Sequence, residues 1–117
     1  MIYEQQFLLA LLFTVFIETA VLFIITRLVL KLSPKKIPSN LLLFTGLICS
    51  FATLPYVWFI FPMFFRQRIA YIIFAEAFAV LLESAIIYYL LKLSFKKSFA
   101  ISLVCNATSF LLGLLLQ

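Results

Sequence analysis

The sequence contains no histidine and no aspartate, and its 117 residues include only two glycines and two cysteines. Without histidine, the common zinc sites and the general base of serine and cysteine hydrolases are missing, and no glycine-rich loop is available to bind phosphate. Cys49 and Cys105 do not form a C-x-x-C pair, so neither a metal nor a redox role is indicated. We therefore expect no metal site, no cofactor and no enzymatic activity.

Charged residues are also scarce. They make up 11% of the chain against roughly 25% of a soluble domain, and hydrophobic residues reach 67%. Crossing a hydrocarbon core about 30 Å thick takes about 20 apolar residues, and four runs have this length, at residues 6–30, 41–61, 70–91 and 99–116. None of them alternates with a period of two as barrel strands do. The sequence predicts an all-α, polytopic membrane protein in which four transmembrane helices form one domain over residues 1–117.

The basic residues predict the orientation of these helices. Only Arg66 and Arg68 lie in the second connection, and the other seven flank the first and the third, at Arg27, Lys31, Lys35, Lys36, Lys92, Lys96 and Lys97. Positive charge accumulates in cytoplasmic loops, so we expect these two connections in the cytoplasm and both termini outside the cytoplasmic membrane. The two basic clusters are too short for a nucleic-acid interface, and no nucleic acid is expected as a partner.

The second connection has a different character. Residues 56–65 are rich in aromatic side chains where the second helix should meet the outer headgroups, which is typical of an interfacial belt. A lid over a ligand is the alternative interpretation. Pro55 lies inside the second predicted span, where it should kink the helix or end its regular part.

Two halves of the chain share a pattern. In each half a glutamate-containing triplet precedes a basic loop, which precedes a cysteine followed by a small polar residue. The pattern occurs at 18–20 (ETA), 31–36 (KLSPKK) and 49–50 (CS), and again at 83–85 (ESA), 92–97 (KLSFKK) and 105–106 (CN). Two helical hairpins in the same orientation, related by an axis along the membrane normal, would produce this pattern. Chance similarity among leucine-rich spans flanked by lysine is the alternative.

Three of the four acidic residues, Glu18, Glu76 and Glu83, lie inside predicted spans. An acidic side chain at the centre of a spanning helix costs about 2.5 to 3.5 kcal/mol, so each should face the bundle interior and find polar partners or water. Counting about 1.5 Å per residue from the cytoplasmic ends of the spans, with Arg27 and Lys92 as the ends of the first and third, places Glu18, Glu83, Ser50 and Asn106 in one band near the midplane. Glu76 and Glu83, seven residues apart, share a helix face that extends toward the outer side.

These acids have a functional and a structural interpretation. In the functional one, Glu18 and Glu83 form a close pair that cannot be doubly ionised in a low dielectric, so that one takes a proton or both share a cation. In the structural one, each acid is protonated or hydrogen-bonded, and the network only fixes which helices meet. The available polar partners are Ser50, Thr53, Tyr88 and Asn106.

A four-span chain of this size with a glutamate in its first helix, here Glu18, resembles the small multidrug-resistance exporters in architecture. The resemblance implies exchange of protons for cationic drugs at that glutamate. Glu76 and Glu83 in the third helix, and the strong charge bias of the loops, depart from the pattern of that family.

Two functions remain after these arguments. The first is proton- or cation-coupled transport at a midplane site, by a homo-oligomer or together with a partner, because four helices enclose little volume. The site would contain Glu18, Glu83, Glu76, Asn106 and Ser50, with Glu76 on the outer access route. The second is a non-catalytic accessory or assembly subunit whose carboxylates and small-residue faces dock onto a larger membrane protein.

Overall fold

A computed structural model describes residues 2–116, and its regular elements are helices, as predicted. They are α1 (Tyr3–Ile24), α2 (Ser39–Pro55), α3 (Phe61–Phe64), α4 (Arg68–Leu91) and α5 (Phe95–Leu116). A π-helical turn prolongs α1 over Ile25–Val29 and α2 over Tyr56–Ile60. Four of the resulting helical stretches are long and apolar enough to span a membrane.

The four long helices form a ring. Within the two hairpins α1 packs on α2 and α4 on α5, and between the hairpins α2 packs on α4 and α1 on α5. Helices α1 and α4 therefore face each other across a diagonal of the bundle. Its longest dimension, 44 Å, equals the thickness of a bilayer with its headgroups, which is about 40 to 45 Å. We call the end with loops 30–38 and 92–94 the basic end, and the end with residues 56–67 the aromatic end.

The surface of this bundle is apolar and its interior is partly polar, the reverse of a soluble domain. Large side chains such as Phe16, 72% exposed, point outward along the helices. Serine, threonine, asparagine and glutamate side chains are buried between them. Toward the basic end the interior is filled by apolar side chains, namely Leu22, Ile37, Leu42, Ile87, Leu91 and Ile101.

Both loops at the basic end turn in the same way. The backbone is left-handed at Lys31, with φ 55°, and at Lys92, with φ 56°. Two residues later a serine hydroxyl accepts a hydrogen bond of 3.3 Å from a backbone amide, from Lys36 to Ser33 and from Lys97 to Ser94. Serine at such a position caps the start of a helix. The repeated K-L-S pattern thus specifies a sharp exit from one helix and a capped start of the next.

The two loops differ after the cap. The helix that follows Ser94 continues without interruption, so α5 begins at Phe95 rather than at the predicted residue 99. In the first loop the capped turn is interrupted at Pro38, which has no amide hydrogen, and α2 begins one residue later at Ser39. The first loop is therefore the longer of the two.

Arg27 closes this longer loop. Its guanidinium group donates hydrogen bonds to the carbonyl oxygens of Leu32, at 3.2 Å, and Ile37, at 2.7 Å, and to the hydroxyl of Ser39, at 3.3 Å. A residue that counts in the sequence only as a positive charge thus also joins the end of α1 to the start of α2.

Two tyrosines hold the irregular backbone at the aromatic end. Pro62 lacks the amide hydrogen that would pair with the carbonyl of Trp58 in an α-helix, or with that of Val57 in the π-helical register. The hydroxyl of Tyr3, from α1, donates to the carbonyl oxygen of Trp58. The hydroxyl of Tyr71, from α4, donates to that of Val57 at 2.7 Å. Residues 56–60 are in this way fixed to both neighbouring helices.

Helices α1 and α2 approach each other closely at Gly46. A Cβ atom at this position would lie 3.0 Å from the Cβ and 3.2 Å from the Cα of Thr19. Because a backbone atom cannot rotate away, any larger residue would have to push the two helices apart.

We expect Gly46→Ala to lower the unfolding temperature of the purified protein in detergent, since overpacking costs about 1 to 3 kcal/mol. Gly113→Ala is the matched control, because a Cβ at Gly113 meets no atom within 4 Å. Equal unfolding temperatures for the two variants would show that the contact at Gly46 is not tight.

We expect Tyr3→Phe and Tyr71→Phe each to destabilise the protein by about 1 kcal/mol, because a carbonyl oxygen loses its hydrogen-bond donor. Tyr89→Phe serves as the control, since Tyr89 is 77% exposed on the outer surface. The measurement is thermal unfolding in detergent, and an effect of Tyr89→Phe as large as the other two would contradict the assignment.

Candidate functional site

The carboxyl groups of Glu18, on α1, and Glu83, on α4, meet across the diagonal at the centre of the bundle. They are 3% and 1% exposed, and the two side chains are hydrogen-bond partners. A hydrogen bond between two carboxyl groups requires that one of them carries a proton. The structure therefore brings together the two acids that the sequence places at one depth, in a contact that can hold one proton.

The other two long helices supply polar partners for this pair. Ser50 Oγ, on α2, donates to Glu18 Oε2 at 3.4 Å, and Thr53 Oγ1, also on α2, donates to Glu83 Oε2 at 3.1 Å. The side chain of Asn106, on α5, also contacts Glu83. Each of the four long helices thus contributes to one buried polar cluster, which we call the central cluster: Glu18, Ser50, Thr53, Glu83 and Asn106.

The remaining candidates from the sequence lie elsewhere. Tyr88 is half exposed on the outer surface and packs against the ring of Phe95, so it is not a partner of the acids. Cys49 and Cys105 are free and buried. The thiol of Cys105 contacts the carbonyl oxygen of Glu18 at 3.7 Å and thus belongs to the packing of α5 on α1.

A cavity of about 270 Å³ leads from the central cluster toward the aromatic end. Its wall contains Thr14, Glu18, Trp58, Tyr71, Glu76 and Ser109. Glu83 is not part of this wall, so only one acid of the pair adjoins the cavity. A second cavity of about 440 Å³ at the aromatic end includes Arg66 and Arg68. The two cavities share the wall residues Tyr71, Ile72, Phe110 and Leu114, so they lie next to each other between Glu18 and the aromatic end.

Several residues of the cavity wall were not predicted. Thr14 lies four residues before Glu18, and Ser109 lies three residues after Asn106, so each shares a helix face with a predicted site residue. That spacing is the signal that could have identified them. Trp58 and Tyr71 carry no comparable signal, because their positions depend on the π-helical turn and on Pro62.

Glu76 occupies a boundary position. It lines the cavity inside the bundle, as expected for an outer access route, and it also lines an apolar groove of about 390 Å³ between α4 and α5. This groove is formed by apolar side chains such as Val80 and Leu103, with Asn106 at its inner side. The sequence argument expected all three acids to face the interior only, whereas Glu76 is half-buried and adjoins the outer surface.

The hydrogen-bond requirements of the pair are not completely met. Glu18 Oε1 is buried, and within residues 2–116 no hydroxyl or amide group donates a hydrogen bond to it. In the same part of the chain no three cysteine or glutamate side chains cluster as ligands of a metal ion. The site can therefore exchange a proton, or hold a cation on oxygen ligands, and its chemistry is that of carboxyl groups, hydroxyl groups and one amide.

No protein family matches this chain, and no curated protein and no solved structure match it either. The function is therefore argued from the geometry of the site itself.

We expect Thr53→Val to lower the free energy of unfolding by about 1 to 3 kcal/mol, because it removes the donor to Glu83 without changing the shape of the side chain. Thr45→Val is the control on the same helix. Thr45 is equally buried, but its hydroxyl bonds only to the carbonyl oxygen of Leu41 one turn earlier, at 2.7 Å. The free energy of unfolding of both variants is measured by chemical or thermal denaturation in detergent. Equal losses of free energy would contradict a stabilising contact between Thr53 and Glu83.

Proposed function

We propose that this chain is an integral membrane transport protein in which the pair Glu18 and Glu83 is a proton- or cation-binding site. The observation that carries the proposal is a hydrogen-bonded carboxyl pair at the centre of the bundle, at the inner end of a cavity. A proton or cation that reaches the pair changes its charge. Because the pair connects α1 with α4, this change acts on the packing of the whole bundle.

The apolar surface and the length of the bundle support insertion into a membrane. In our proposal the membrane is the cytoplasmic membrane, with the basic end in the cytoplasm and the aromatic end and both termini outside. The cavity would then open to the outer side, and Glu76 would lie between the outer solution and the pair.

The proposed coupling follows from electrostatics in a medium of low dielectric. With one proton, the two carboxyl groups attract each other through a hydrogen bond. Without it, two negative charges in contact repel strongly, and α1 and α4 are pushed apart. A cation can replace the proton as the bridging charge. Binding and release thus favour different helix arrangements, which alternating access requires.

The packed apolar side chains between the pair and the basic end suggest that one chain does not act alone. A path to the cytoplasm requires either that these side chains separate or that a second chain completes the route. We therefore propose a homo-oligomer or a complex with a larger membrane protein as the working unit.

A duplicated hairpin is part of the same proposal. It is supported by the identical turn at Lys31 and Lys92 and by the serine cap in both loops. Glu18 lies 13 residues before its loop lysine and Glu83 lies 9 before its own, a difference of about one helical turn. The two acids nevertheless meet at the same level, so the first hairpin extends about one turn further at the basic end.

The second candidate function is a non-catalytic assembly subunit. One observation favours it, namely that Ser50, Thr53 and Asn106 already supply hydrogen bonds to the pair from inside the chain. Such a network can specify helix pairing without moving any ion. Neither candidate function is enzymatic.

The test is ion flux into liposomes that contain the purified protein, with proton and sodium gradients applied separately. We expect Glu83→Gln to abolish flux while it leaves expression and folding intact, because the amide can still donate a hydrogen bond to Glu18 but cannot exchange a proton. Glu4→Gln is the matched control, since Glu4 is exposed near the start of α1.

The outcomes separate the two candidates. Flux that Glu83→Gln stops and Glu4→Gln preserves supports transport. Protein that is inert in liposomes, but co-purifies with a larger membrane complex that fails to assemble without it, is an assembly subunit.

A further inference from the structure

The two acids of the pair have unequal surroundings. Glu83 is held by the hydroxyl of Thr53 at 3.1 Å and does not adjoin the cavity. Besides its contact with Glu83, Glu18 receives only a hydrogen bond of 3.4 Å from Ser50, its buried Oε1 receives none from a hydroxyl or amide group, and its side chain lines the cavity. A ligand that arrives through the cavity therefore meets Glu18 first.

The difference between the surroundings of the two acids arises from side chains on α2 and α5. Thr53 lies three residues after Ser50, and Ser109 lies three residues after Asn106, so the two hydroxyl groups occupy corresponding places. The hydroxyl of Thr53 lies against its own helix, at 2.9 Å from the carbonyl of Cys49, and also reaches Glu83. The hydroxyl of Ser109 bonds only to the carbonyl of Asn106, at 3.1 Å, and lines the cavity. Thr53 and Ser109 both line the cavity, but only Thr53 reaches an acid.

Several residues that line the cavity with Glu18 carry side-chain oxygen atoms that can accept a positive charge. The amide nitrogen of Asn106 is directed to the carbonyl oxygen of Ser102, at 2.9 Å, which leaves the amide oxygen as a free acceptor at the cavity wall. Ser109 and Thr14, which each carry a hydroxyl group, line the same cavity. A single carboxylate with neutral oxygen ligands suits a hard monovalent cation rather than a transition metal.

Resting on the transport function proposed above, we propose that Glu18 binds a monovalent alkali cation, with Na⁺ as the probe, together with oxygen atoms of Asn106, Ser109 and Thr14. Glu83 is a positioning residue in this proposal. When the cation binds Glu18, the proton lies on Glu83, which donates its hydrogen bond to Glu18, so the pair carries one negative charge that the cation neutralises. Without the cation, the donors Thr53 and Asn106 favour the charged form of Glu83, and the proton lies on Glu18.

The size of the cavity fits this ligand. At roughly 30 Å³ per water molecule, 270 Å³ holds about nine waters, so an ion can enter with part of its hydration shell. Trp58, the only tryptophan in the chain, lies in the same wall and reports on occupancy through its fluorescence.

The experiment is a fluorescence titration of the full chain in lipid nanodiscs, with NaCl replacing N-methylglucamine chloride at constant ionic strength. We expect a saturable signal in the unaltered protein, at least tenfold weaker binding in Glu18→Gln, and a smaller loss of affinity in Glu83→Gln. The amide at position 83 can still donate to Glu18, so it preserves the site. Glu4→Gln should bind as the unaltered protein does.

Ser109→Ala gives a second test that does not alter the acids. We expect a three- to tenfold loss of Na⁺ affinity, whereas Ser98→Ala should leave it unchanged, because Ser98 is buried on the same helix toward the basic end and away from the cavity. If Glu18→Gln does not fold, Ser109→Ala and Glu83→Gln decide the question. Unchanged affinity in Ser109→Ala, or equal losses in the two glutamate variants, would overturn the proposal.

The result also separates this proposal from transport itself. A signal that responds to pH but never to Na⁺ overturns cation binding and leaves proton-coupled transport standing. Saturable Na⁺ binding in a protein without flux in liposomes supports the site and removes the transport function.

Discussion

The hydrogen bond between two buried carboxyl groups is the constraint on which the rest of the bundle depends. Each acid inside an apolar bundle costs several kcal/mol unless it is paired. The pairing of Glu18 with Glu83 requires α1 and α4 to face each other, and this in turn fixes the ring in which each hairpin packs against the other. The serine, threonine and asparagine residues of α2 and α5 then complete the cluster. A bundle with an entirely apolar interior could rotate its helices with little cost, whereas this one has a single register.

The same constraint gives the molecule two different halves along its axis. From the pair to the basic end the interior is filled by apolar side chains, with a few buried hydroxyl groups such as those of Thr26 and Ser98 among them. From the pair to the aromatic end it is open, polar in places, and bordered by backbone that departs from the α-helix at Tyr56–Ile60. The two acids lie at the transition between these halves. The side chains that cost the most free energy to bury therefore lie between a closed region and an accessible one.

Much of this architecture could be predicted from the sequence, because run length and charge determine helix number, and spacing from the loops determines depth. The depth argument was sufficient to bring Glu18, Glu83, Ser50 and Asn106 toward one level. The cavity was not predictable in this way. Its wall depends on the rotation of each helix about its own axis, on the π-helical turn after Pro55, and on the absence of an amide hydrogen at Pro62. None of these can be calculated from the number of residues per helical turn. The hydroxyl groups of Thr53 and Ser109 also have different hydrogen-bond partners, and this difference is visible only in the three-dimensional structure.

The arginine contacts of the first loop have a consequence for the dynamics of the whole chain. Arg27 ties the end of α1 to the start of α2, and Gly46 lets the same two helices touch at backbone distance, so the first hairpin is braced at two levels. The second hairpin has its serine cap but no arginine near its loop, and its helices α4 and α5 pack on each other more extensively than any other pair, with a lateral groove beside Glu76. When the bundle changes shape, each hairpin should therefore move as one body, the first held at its loop and at Gly46 and the second along the faces of its helices.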